Sequence, residues 1–132
     1  MYLNQLMLGE KYAFYSISKS LVFIDNTFSR EEQTLVSEIV KEMELDEEQI
    51  PAISLDDAVN MLSFSSCMTR RGVFFELVGI SLCDRVMHKE ETKLLDRIAV
   101  EFSISLDEKG KIISLVKRLF DIYQEMDEIV RR

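Results

Sequence analysis

The two halves of this 132-residue chain match each other at an offset of 59 residues. Residues 21–45 lie over residues 80–104. Six pairs are identical: Asp25/Asp84, Glu31/Glu90, Glu32/Glu91, Leu35/Leu94, Ile39/Ile98 and Glu42/Glu101. Others keep their character, among them Phe28/Met87, Arg30/Lys89, Val36/Leu95 and Met43/Phe102. Shared helical periodicity alone would match the apolar pairs. It would not match the Asp or the double Glu, which the pattern sets off the apolar stripe. Each half reads as a helix, a short Asp-containing turn, a second helix and a third. A unit of that size cannot bury a face alone, so two are expected to pack together about a pseudo-twofold axis. The repeat spans about 12–66 and 71–125, within one domain covering 1–132.

The periodicity is helical nearly throughout. Phe28, Leu35, Val36, Ile39, Val40 and Met43 fall on one helical stripe. Ser29 and Glu32 have the spacing of a capping box, and Ser54 and Ser105 each precede an acid at the third helical position. Pro51 falls in the break before Ser54. From Ser105 onward, Leu106, Ile112, Ile113, Val116, Leu119, Phe120, Tyr123 and Val130 hold near-helical spacing to the end. Residues 73–83 are apolar almost all round, which marks a helix enclosed by others. These signals predict an all-α fold of six helices near 3–24, 29–44, 54–65, 69–83, 88–102 and 105–129. The first has a break near Gly9. One Pro and four Gly argue against a loop-rich β sandwich.

Net charge is −8, and one segment carries all of it. Residues 29–57 hold ten acids and two bases, while acids and bases balance elsewhere. Phosphate neutralisation needs a basic face, so nucleic-acid binding is not expected. The acidic segment reads as a solvated face that could also dock a protein partner. No uncharged run reaches the length of a membrane span, and no secretion signal opens the chain, so a cytoplasmic protein without direct membrane insertion is expected. Cys67 and Cys83 then read as two buried, unpaired thiols.

The unit FIDNTFSREEQTLVSEIVKEMEL and its counterpart LCDRVMHKEETKLLDRIAVEFSI share a layout. An apolar helix ends in Asp, a short turn follows, and Glu-Glu opens an amphipathic helix. This layout resembles the duplicated motif of the TerB-like family, the all-helical domain associated with tellurite resistance. The resemblance covers about residues 12–123. It implies one compact domain of two pseudo-repeated three-helix units. It also implies metal chelation by acids at these positions. The family's Gly after the Asp is replaced by Asn26 in the first copy and Arg85 in the second.

The candidate metal ligands are therefore Asp25, Glu31, Glu32, Asp84, Glu90 and Glu91. Oxygen-only donors favour a hard cation, Ca²⁺ or Mg²⁺, as the one candidate cofactor. The segments are not EF-hands, since the twelfth position counted from Asp25 is Val36. The rival reading makes each Asp an Asx turn and each Glu a first-turn partner of the helix dipole. His88 reads as a turn residue standing in for a cap, and with one His and no C-x-x-C a zinc site is not expected. Arg70 and Arg71, placed after Thr69 at the opening of the central helix, read as surface ion-pair partners. No nucleophile motif, P-loop or dinucleotide fingerprint occurs, so an enzyme is not expected. The expected function is a non-enzymatic module acting through protein contacts. A dedicated metal-binding stress protein and a homodimeric structural protein are the alternatives.

Overall fold

The computed structural model describes residues 1–24, 30–83 and 87–132. Among them run six α-helices: α1 (Leu8–Phe23), α2 (Arg30–Glu42), α3 (Leu55–Ser63), α4 (Cys67–Ser81), α5 (Lys89–Glu101) and α6 (Leu106–Val130). Short 3₁₀ turns occupy Leu3–Gln5 and Glu47–Gln49. No strand occurs among the described residues, so the all-α expectation holds.

The first helix is interrupted at Leu6 and Met7, just ahead of Gly9. Glu10 closes the new start by accepting from the Met7 N–H at 2.8 Å. Ser54 and Ser105 cap α3 and α6 as expected, each accepting at 3.1 Å from the N–H three residues on. The central helix starts earlier than its apolar run suggested. Ser66 caps it, accepting from Thr69 at 3.1 Å, so Arg70 and Arg71 lie within α4 and do not open it. Cys67 stands on that first turn and is exposed, which corrects the expectation of two buried thiols; Cys83 is half-buried.

Two helices are enclosed. Helix α1 packs on α2 and α3, α4 packs on α5 and α6, and α1 and α4 pack on each other. Phe14, Ile17 and Leu21 from α1 and Phe74, Leu77 and Val78 from α4 are fully buried. Both helices are apolar around most of their circumference, as central position requires.

Several details recur at the 59-residue offset. Glu44 after α2 and Ser103 after α5 take the left-handed conformation, with φ of 57° and 58°. The next N–H closes a six-to-one bond in each case, Leu45 to Val40 at 3.1 Å and Ile104 to Ala99 at 2.9 Å. This is the Schellman way of satisfying the last helical carbonyls. It tolerates a non-glycine there because Met43 and Phe102, one residue earlier, are locked in the core. The offset ends at that point. Residues 46–53, with their 3₁₀ turn and Pro51, delay α3, whereas α6 begins almost at once after Ile104.

Helix α6 keeps its apolar spacing to the end, yet only Ile112 and Val116 are buried. Leu119, Tyr123 and Val130 are exposed, and everything from Asp121 onward faces solvent. Leu115 and Leu119 lie on a face beside the buried Ile112 and Val116, and length carries the rest of the helix outward. At 25 residues α6 is about 38 Å long, while α1, α2, α4 and α5, with 13 to 16 residues, reach only about 20–24 Å.

Candidate functional site

The acids singled out by the repeat divide in two. Asp25 and Asp84, at the turns, lie outside the described residues. Glu31 and Glu90 are exposed, and Glu90 meets Lys93 at 3.4 Å. Glu32 and Glu91 are buried, at 7% and 6% exposure. The sequence set both Glu pairs off the core, so this is a correction for the second member of each. Each is the third residue of its helix and shares a face with a buried residue four along, Val36 in α2 and Leu95 in α5. Glu91 there accepts from the N–H of His88, the N-cap of α5, at 3.4 Å, so the capping role covers it. Among the described residues no group of three or more His, Cys, Asp or Glu is placed to hold a metal ion.

Arg70 and Arg71 act differently from one another. Arg70 bonds no carboxylate of the acidic segment. It donates from Nε to the Phe102 carbonyl at 3.0 Å and from Nη1 to the Ser65 and Ser63 carbonyls at 2.6 and 3.5 Å. One half-buried guanidinium thus closes the ends of α3 and α5. Arg71 pairs with Glu108 on α6 through two bonds at 2.8 and 3.1 Å. Its hydrogen bonds, and then its positive charge, hold the Glu108 carboxyl below the usual range.

The acidic segment is solvated as expected, since all of its ten acids except Glu32 are exposed. Several also work as local partners. Glu47 accepts from the Tyr15 hydroxyl at 2.6 Å, and Asp56 pairs with Arg97 of α5. Glu42, with Glu76 of α4, grips the start of the chain. The Met1 ammonium reaches both at 2.9 Å, the Leu3 N–H reaches Glu42 at 3.2 Å, and the Tyr2 N–H reaches Glu76 at 2.9 Å. Burial alone would lower the Met1 ammonium, but these two carboxylates raise it above its ordinary value.

That clamp borders a groove of about 490 Å³ between α2, α4 and α6. Leu35, Ile39, Phe75, Ile80, Leu119 and Phe120 line it, and Glu38, Glu42 and Glu76 stand along it. Tyr2 covers one end, its ring 6.0 Å from that of Phe75. Glycine at position 79 leaves the wall open, with nothing within 4 Å of where a Cβ would stand. The sequence showed every lining residue but not the groove, because three helices distant along the chain assemble it.

No family model matches this sequence, and neither a curated protein nor a solved structure matches it. No helix among the described residues is long and apolar enough to cross a membrane.

Proposed function

We propose that this chain is a non-enzymatic, cytoplasmic helical module that works through protein contacts at the groove between α2, α4 and α6. One observation carries the reading: an open apolar groove runs directly into the exposed apolar side of α6. Contiguous apolar surface of that kind marks contact sites. Two three-helix units of TerB-like type are the architecture we propose, supported by the matched helix starts, left-handed residues and packing partners.

The test is capture by the immobilised chain, compared with Leu119→Glu and Glu38→Lys, both at exposed positions of the groove. A protein held by the parent and released by both variants supports the reading. Equal capture by all three removes the groove from it.

A divalent cation at the paired turns is the second reading. It draws on Glu32 and Glu91, buried at matching helix starts beside those turns. Millimolar calcium should then raise the melting temperature by mass action, and Asp84→Asn should abolish the rise. No rise leaves the contact reading alone.

A further inference from the structure

We propose that the exposed stripe of α6 is a dimer seam, on which a second copy of this chain lays its own α6 antiparallel. The proposal rests on the contact-module reading and names the occupant.

Leu115, Leu119, Ile122, Met126 and Ile129 follow one another at steps of four, three, four and three. That is the alternation of a two-helix coiled-coil seam, which wants a helix opposite it. Their exposures, from 36% at Leu119 to 65% at Ile129, show the seam unoccupied within the chain. Ile112 and Val116, alongside, are the residues α6 gives to its own core. The helix therefore carries two neighbouring apolar stripes and uses one.

Charge selects the occupant and its direction. Arg118 and Glu125 flank the seam on the same side, seven residues apart. Among the described residues neither has an ion-pair partner in its own chain. An antiparallel copy layers Leu119 against Ile122 and Leu115 against Met126. The same register brings Arg118 beside Glu125 of the second copy, and twofold symmetry makes the pair twice. A parallel copy would bring Arg118 to the Tyr123 flank and leave both charges unmatched. Specific interfaces begin near 600 Å² per partner. The five seam residues, with Tyr123 and Val130 at their edge, can supply that area.

The test is sedimentation equilibrium of the purified full chain from about 1 to about 100 µM, where ordinary interfaces associate. The expected mass is twice 15.4 kDa. Met126→Glu should leave a monomer with unchanged helical circular dichroism, since Met126 is exposed and makes no core contact. Arg118→Glu should weaken dimerisation tenfold or more, and adding Glu125→Arg should restore it to within about threefold. A parent chain that stays monomeric, a dimer indifferent to Met126→Glu, or a double variant no tighter than the single one would each overturn the proposal. A monomer that still captures another protein at the groove overturns self-pairing and spares the contact reading. A monomer that captures nothing there removes both.

Discussion

Lys11 and Arg70 hold the same place 59 residues apart: Lys11 donates from Nζ to the Met43 carbonyl at 2.8 Å, and Arg70 from Nε to the Phe102 carbonyl at 3.0 Å. Met43 and Phe102 are buried residues at the ends of α2 and α5, where helical carbonyls lack partners. A cation from the preceding enclosed helix supplies one in each half.

The two cations are not equal, and substitution should show it. Lys11 serves one carbonyl, whereas Arg70 serves three. Hydrogen bonds from charged donors to partly buried acceptors count for more than neutral ones, so Arg70→Ala should cost about 2–4 kcal/mol and Lys11→Ala about 1–2 kcal/mol. Arg71→Ala, one residue along, should cost clearly less than either, because its pair with Glu108 is solvent-exposed. Urea denaturation of the three variants checks the order. Equal losses at positions 70 and 71 would refute the carbonyl-closing role.

Ser66 supplies a test of where the central helix begins. Its hydroxyl accepts from the Thr69 N–H, so Ser66→Ala should cost about 1 kcal/mol, as should Ser54→Ala and Ser105→Ala. A helix opening at Arg70 would leave Ser66→Ala neutral. Thermal melts distinguish the two.

Tyr15 should make the fold sensitive to alkali. Burial, then the hydrogen bond and charge of Glu47, push its phenol above the ordinary value of 10.0. A raised group contributes stability that is complete below its unfolded value. That contribution is lost as pH rises from about 10 toward the folded value. The parent should lose stability in that window, and Tyr15→Phe should lose less. Denaturation at pH 8 and at about pH 10.5 measures the difference. A matching decline in both proteins would remove Tyr15 as its source.

Two helical glycines should respond in opposite directions to alanine. Nothing stands within 4 Å of an added Cβ at Gly110, so Gly110→Ala should stabilise α6 by about 0.5–1 kcal/mol. At Gly72 the new methyl would meet Tyr2 Cβ at 3.1 Å and Cγ at 3.2 Å. Gly72→Ala should therefore push Tyr2 and loosen the Met1 clamp, with a net loss of stability despite better helix propensity. A rise in melting temperature at position 72 would show that Tyr2 yields freely.

What the sequence determined by itself is the local layer. The all-α class, the six helices, and the caps at Ser54 and Ser105 depend on partners within a turn or so of helix. Such spacing is written directly in the chain. The same holds for the break near Gly9 and for His88 at a cap. Tertiary structure decided what depends on partners far along the chain. It buried Glu32 and Glu91, turned Arg70 toward three carbonyls rather than a carboxylate, and assembled the groove from α2, α4 and α6. It also decided how much of the last apolar stripe is core. Spacing shows that Leu119 and Tyr123 lie on a helix face, but only the packing of α6 on α4, which takes Ile112 and Val116 inward, leaves that face uncovered.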